Sequence, residues 1–226
     1  MAELRRLQSP EAPNLPIAPS VYSTQHYDVL NNVLRLYFNR LDQNLKALFG
    51  NSGGAFLNIP FIAAYDSAAQ YATGNNIPTA AVWSNGTLNG FTLGATSATA
   101  QFSGIYKITY SLQFANTDNA VHDAIVWLRV NGTTTAADVP DSTTKFSIPA
   151  RKSAGVPSYV AGYSEIVFEL NAGDTVSLWW GTAQAATSGG GAGVYIYAEV
   201  AQTSPMPYPA VPSALGSITF VSALQA

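Results

Sequence analysis

The stretch NTDNAVHD, residues 116–123, is where this sequence gathers titratable side chains: Asp118, His122 and Asp123. An imidazole can move protons near neutral pH, and a carboxylate beside it can fix its tautomer. With a serine brought from elsewhere, the group has the members of a nucleophilic triad, and its three side chains could also ligate a metal. Against both stands its context, because a short polar run between two strand-like segments reads as a solvated loop. His26 is the chain's only other histidine. Asp138 and Asp141, in DVPDSTT, offer carboxylate oxygens of the kind Ca²⁺ takes, but such a site needs about six to eight oxygens together. Glu165 and Glu169 stand four apart on one face of an expected strand. Glycosidic cleavage needs two carboxylates flanking the bond, and this spacing is common on solvent faces. Asn-Gly-Thr at 85 and 131 fits a glycosylation sequon, yet Asn-Gly turn chemistry accounts for both. Catalysis requires convergent titratable groups, and the expectation is a non-enzymatic protein with no catalytic residues, no metal ligands and no cofactor.

The bulk composition points the same way. Only 10% of the 226 residues are charged while 47% are hydrophobic, against about 25% charged in an ordinary soluble domain. A core is affordable, but the surface must be built from Ser, Thr, Asn, Gln and Gly, which suits a chain that buries much of itself in an assembly. A net charge of −3 gives no electrostatic footprint for nucleic acid. The absence of cysteine excludes disulfides and thiolate chemistry. MAELRRLQSP lacks the apolar region of a secretory signal. No apolar run reaches the roughly 18 residues of a membrane span. The expectation is a cytosolically made protein that stays soluble or joins a particle, without nucleic-acid or membrane partners.

The elements that position these residues fall into two kinds. Pro10, Pro13, Pro16 and Pro19 recur at the three-residue period of polyproline II, predicting an extended arm of about 30 Å. From Ser23 or Thr24, either of which can cap a helix start, the apolar residues follow a helical period up to Gly50. Val33, Leu34, Tyr37, Phe38, Leu41, Leu45 and Leu48 share an arc of roughly 140° with Leu30. The subset Leu30, Leu34, Tyr37, Leu41, Asn44 and Leu48 alternates steps of four and three, a heptad seam with a register-setting Asn in it. Packing on the chain's own β region is the plain alternative, but the flanking proline arm and the GNSGGAF linker suit a stalk better.

Beyond Phe56 the period changes to two. SGIYKITYSLQFA puts Tyr106, Ile108, Tyr110, Leu112 and Phe114 on one face and polar residues on the other. Further strands are predicted at 61–67, 80–84, 91–94, 124–130, 163–170, 175–181 and 193–200, with tight turns at Asn85-Gly86, Asn89-Gly90 and Asn131-Gly132. Adjacent Trp179 and Trp180 must face opposite ways, and Tyr195 and Tyr197 alternate with Val194 and Ile196. Strands apolar on both faces need a second surface to meet, most simply another subunit. The predicted class is an all-β sandwich or barrel, preceded by one amphipathic helix and an extended Pro-rich arm.

Two motifs carry a resemblance. GIYKITY, 104–110, and LNAGDTVSL, 170–178, resemble the G-x-Y-x-F-x-[FY] and L-x-x-G-D-x-V-x-L motifs of the C1q/TNF-like jelly roll, with Ile108 where Phe is usual and GVYIY as the closing strand. No collagen repeat precedes the region. The resemblance implies a jelly-roll sandwich forming a compact homotrimer, with the sheet of 104–114, 163–170 and 193–200 facing the threefold axis. It assigns Tyr106, Tyr110, Phe168, Tyr195 and Tyr197 to the head trimer interface. LPIAPSVYSTQHYDVLNNVLRLYFNRLDQ, 15–43, and PAVPSALGSITFVSAL, at the end, resemble small virion structural proteins of tailed bacteriophages.

Together these readings divide the chain into an anchoring arm (1–22), a helix (23–50), a linker (51–60), a jelly roll (61–200) and a C-terminal extension with a final strand (201–226). The implied function is a homotrimeric virion fibre, knob or decoration protein. Pro13, Leu15, Pro16, Ile17 and Pro19 attach it to other virion proteins, and Leu30, Val33, Leu34, Tyr37, Leu41, Asn44 and Leu48 form the trimer stalk. Asn116, Asp118, Asn119 and His122 form a candidate receptor loop toward a host-surface glycan. A free-standing carbohydrate-binding module and a polysaccharide depolymerase are the alternatives. Trp83, Trp127, Trp179 and Trp180 are expected mainly in core or interface.

Overall fold

The computed structural model describes residues 13–17, 19–49 and 59–224. The chain divides into two compact units, Met1–Asn58 and Ile59–Ala226. Pro10 in the expected arm and residues 51–58 of the expected linker lie outside the described residues.

The first unit holds helix α1, Thr24–Phe49. Ser23 caps it: its Oγ accepts from the His26 backbone N–H at 3.4 Å, and the Tyr27 N–H closes the first turn on the Ser23 carbonyl at 3.3 Å. On the polar face Arg35 donates to Asn32 at 2.8 Å, and Lys46 pairs with Asp42 at 2.6 Å. That lysine also sets a cation in the last turn, where the helix dipole favours it. Leu30, Val33, Leu34, Tyr37, Leu41, Asn44 and Leu48 are half-buried, whereas Leu36, Phe38 and Leu45 are exposed.

The second unit is two antiparallel sheets. In chain order the strands are β1 (Phe61–Asp66), β2 (Thr79–Ala80), β3 (Asn85–Asn89), β4 (Phe91–Leu93), β5 (Ala98–Ala100), β6 (Gly104–Asn116), β7 (His122–Val130), β8 (Thr144–Ile148), β9 (Ser158–Leu170), β10 (Thr175–Thr182), β11 (Val194–Ile196) and β12 (Ala214–Ser222). Sheet I contains β3, β1, β12, β6 and β9 in that order. β9 pairs along all of β6 on one edge, and β12 and β11 divide the other, taking Ile105–Leu112 and Phe114–Asn116 respectively. Sheet II runs β4, β5, β10, β7, β8, with β2 also on β10.

The core follows from alternation. Tyr106, Ile108, Tyr110, Leu112 and Phe114 are buried on the inner side of β6 and join Val126 and Leu128 of β7 and Leu178 and Trp180 of β10 in one cluster. Burying side chains of this size contributes about 1.5–3 kcal/mol each. The Trp83 ring also enters between the sheets, over Gly216, where a Cβ would sit 2.7 Å from the indole. Only glycine leaves room for that ring.

Two expectations are corrected, and the pairing of the final strand, left open by the sequence, is set. Asn85-Gly86 is no turn but the start of β3, with Asn85 opposite Tyr65 and Gly86 opposite Ala64. Asn89-Gly90 and Asn131-Gly132 do turn, with Gly90 at φ 68° and Asn131 at φ 57°. The 193–200 strand is ladder only over Val194–Ile196. The central place beside β6 and β1 belongs to the final strand, β12, which therefore pairs within its own chain and lies inside the second compact unit. Its alternation explains this: Ala214 and Ile218 are buried while Leu215 and Val221 are exposed.

A buried carboxylate locks the junction of β1 with β12. Asp66, 3% exposed, accepts hydrogen bonds from Gln70 Nε2 at 3.0 Å, from the Ser84 hydroxyl and from Ser213 Oγ at 3.4 Å. Gln70 also accepts from the Val82 N–H at 2.8 Å.

Candidate functional site

The outward face of sheet I follows from the register. Ile105, Lys107, Thr109, Ser111, Gln113 and Ala115 of β6 point away from the core. They stand beside Glu169, Val167, Glu165, Tyr163, Ala161 and Tyr159 of β9. β12 adds Leu215, Ser217 and Thr219, and β1 adds Phe61, Ala63 and Tyr65. Small residues occupy the middle and large ones the rim, leaving a shallow concavity of about 450 Å³. Tyr163 is 59% exposed, Val167 56% and Leu215 45%. The face bears one ion pair, Lys107–Glu165 at 3.5 Å, half-exposed on both sides. Thr109 and Ser217 hydroxyls meet at its centre, 2.6 Å apart.

One end of this face is a tyrosine cluster. Tyr71 stacks on Tyr195 with ring centres 5.1 Å apart, and Tyr159 leans on Tyr197 at 4.7 Å. Ala115, opposite both Tyr159 and Tyr195, is completely buried. Burial, reinforced by neighbouring Glu199, raises the Tyr197 phenol above its ordinary value. Glu199 is held below the usual carboxylate range, chiefly by the hydrogen bond from Tyr208, 2.7 Å long.

The structure corrects part of the expected head interface. Tyr106 is 0% and Tyr110 2% exposed, and Phe168, opposite Tyr106, packs against the same core. Odd-numbered residues of β6 and β9 carry the outward face; even-numbered ones fill the sandwich. Tyr195 and Tyr197 are half-buried at the tyrosine end.

The expected receptor loop is also divided. Asn116 is 0% exposed: its Nδ2 donates to the Ala120 carbonyl at 2.8 Å and the Pro149 carbonyl at 3.0 Å, and its Oδ1 accepts from the Asp118 N–H at 2.8 Å. It builds the loop rather than presenting itself. Asn119 is exposed. His122 Nε2 and Asp118 Oδ2 lie 2.6 Å apart, and that contact, with the Asn119 N–H, keeps the Asp118 carboxyl below its ordinary value. Asp123 turns instead to Lys145, 2.7 Å away, which lowers it in the same way. Asp118 and His122 therefore form a pair, and Asp123 stands apart from it. Among the described residues no three His, Cys, Asp or Glu side chains are grouped to hold a metal. The Ca²⁺ reading is not assembled either, because Asp138 pairs with Arg129 at 2.5 Å.

In the first unit, Leu15 and Ile17 are 48% and 94% exposed, Pro19 is exposed, and Pro13 and Pro16 are half-buried. No described helix is long and apolar enough to cross a membrane. No protein-family model matches the chain, and no curated protein matches it.

Two features escaped the sequence reading. The Asp66 network joins residues up to 147 apart in sequence, and no local pattern marks such a contact. The sorting of four tryptophans depended on strand parity: Trp180 is fully buried, whereas its neighbour Trp179 stands on the outer face of sheet II opposite Trp127. Adjacency fixed that the two tryptophans diverge, but not which one points inward.

Proposed function

We propose that this chain is a non-enzymatic homotrimeric structural protein of a tailed-bacteriophage virion, fixed to the particle by its N-terminal arm and displaying a C1q/TNF-like jelly-roll head. The order in which the chain crosses between sheets supports the jelly-roll reading. β1 and β3 are in sheet I, β4 and β5 in II, β6 in I, β7 and β8 in II, β9 in I, β10 in II and β12 in I. Two six-stranded antiparallel sheets, between which the chain passes repeatedly, fit that architecture. The observation that carries the trimer is the outward face of sheet I, a concave surface where exposed Tyr, Val, Leu and Phe surround a floor of Ala, Ser and Thr beside Lys107, Glu165 and Glu169. A monomer rarely leaves so many large apolar side chains together in water. The half-buried heptad positions of α1 offer a second seam of the same symmetry. Leu15 and Ile17 provide apolar handles for another virion protein, and Asn119 with the Asp118–His122 pair lies at a loop end open to a host-surface molecule.

Two measurements test this. Mass measurement of the full chain at micromolar concentration is expected to give three times the 23.8 kDa chain mass; monomers alone overturn the trimer. Proteomics of purified phage particles encoding the chain is expected to find it in the virion, and its absence there removes the particle assignment while leaving the trimer standing.

A further inference from the structure

The outward face of sheet II carries a feature that self-association through sheet I does not use. Trp127 and Trp179 are direct cross-strand partners, so both indoles leave the same face, with Arg129 and Ser177 as the next outward pair. Arg129 is only 2% exposed, and its guanidinium carbon lies 4.0 Å from the centre of the Trp179 ring and 5.5 Å from Trp127. One face of Trp179 thus packs on the buried guanidinium, and the ring stays partly exposed.

Both indoles are braced. Trp127 Nε1 donates to Asp138 Oδ1 at 2.7 Å and Trp179 Nε1 donates to Ser177 Oγ at 2.8 Å. Arg129 Nε donates to the same Asp138 oxygen at 2.5 Å, and its Nη1 donates to the Thr133 carbonyl. With the N–H groups satisfied, the rings have only their faces to offer. At Gly181, the next outward residue after Trp179 on β10, the Ile77–Pro78 backbone passes 3.8–4.0 Å from where a Cβ would stand and bounds the platform on that side.

We propose that Trp127 and Trp179 form a binding platform for a pyranose ring of a neutral saccharide. The C–H face of a pyranose is weakly positive and meets the negative face of an indole. Arg129 and Asp138 cancel one another, so an ionic ligand gains no net attraction. A cation stacked on Trp179 would also feel the guanidinium through the ring. The Asp138 side chain is 35% exposed, leaving carboxylate surface to accept sugar hydroxyls beside the rings. Rings already locked lose little freedom when a ligand arrives. The inference stands whether the chain is a trimer or a monomer, and it puts sugar recognition on a sheet face rather than in the 116–123 loop.

The test uses the full chain with ¹⁵N-labelled tryptophan, whose four indole N–H signals are assigned by single Trp→Phe variants. Neutral hexasaccharides of glucose, mannose, galactose and N-acetylglucosamine, with hexagalacturonate as charged comparator, are titrated to about 10 mM, where even a millimolar site is mostly filled. The expected result is that a neutral sugar shifts the Trp127 and Trp179 signals, leaves Trp83 and Trp180 in place, and loses about tenfold in affinity in Trp179→Ala, with Trp179→Phe retaining part. No shift with any neutral sugar, shifts confined to other residues, or unchanged affinity in Trp179→Ala overturns the proposal. The mass of the same sample reports the oligomer separately, so a trimer that moves neither indole removes the platform alone.

Discussion

The two outward sheet faces of the β unit are made from similar residues and behave differently. Sheet I offers Tyr65, Tyr163, Val167 and Leu215 around a floor of Ala, Ser and Thr, with large side chains exposed. Sheet II offers fewer aromatic rings, but each indole N–H has an acceptor and an arginine is buried under them. A face whose large apolar side chains stay exposed gains by being covered over a large area. A braced pair of rings is already satisfied and can serve as a fixed local contact. The same composition can thus supply an assembly surface on one side and a ligand platform on the other, according to which polar atoms are left to pair.

That contrast can be broken at graded cost. The largest effect is expected from Leu215→Arg. Leu215 is 45% exposed, so folding should change within about 0.5 kcal/mol. A charge desolvated in a subunit interface costs several kcal/mol. Sedimentation should show self-association weakened by more than about 100-fold, with the apparent melting temperature falling only by the share of stability that association supplies. In the core between the faces, Trp180→Ala should destabilise by about 3–5 kcal/mol in urea denaturation. Trp180→Phe should cost markedly less, because the buried Trp180 Nε1 has no hydrogen-bond partner to lose.

On the sheet II side, Asp138→Ala should cost about 2 kcal/mol by the same measurement. This is less than the loss of a fully buried pair, because Asp138 is partly solvated. The sign with pH follows from the hydrogen bond Arg129 gives Asp138, which lowers its carboxyl below the ordinary value. The contribution is complete above the ordinary carboxylate pKa and fades as pH falls through the lowered folded value. Stability measured from neutral to acid pH should fall less steeply in Asp138→Asn than in the parent. The smallest effect is expected at Lys107→Gln, which removes an exposed ion pair on sheet I and should change the stability of a single copy by less than about 1 kcal/mol.

Much of the architecture was legible in the residues. Strict alternation through GIYKITYSLQF predicted β6, and Ser23 ahead of a helical period predicted the start of α1. What misled was local chemistry overridden by pairing. Asn85-Gly86 has turn residues yet sits in a ladder with β1, because Tyr65 and Ala64 supply the partners. Tyr106 and Tyr110 were assigned to an interface by the resemblance, which set their whole sheet on the threefold axis; the structure sends them inward and leaves Lys107, Thr109 and Ser111 outside. Asn116 looked like a loop ligand, and three backbone contacts made it the loop's internal post.

By itself the sequence determined the periods: one helix with an apolar stripe, then strands with two distinguishable faces, and a chain without thiols and with few charges. Period sets which residues share a face, because the backbone repeat is local. Only the tertiary structure decided which face looks inward, that the last strand enters the middle of sheet I, and that Arg129 disappears beneath Trp179. Those outcomes rest on contacts between residues far apart in the chain, whose energies depend on which surfaces meet and which buried polar atoms find partners.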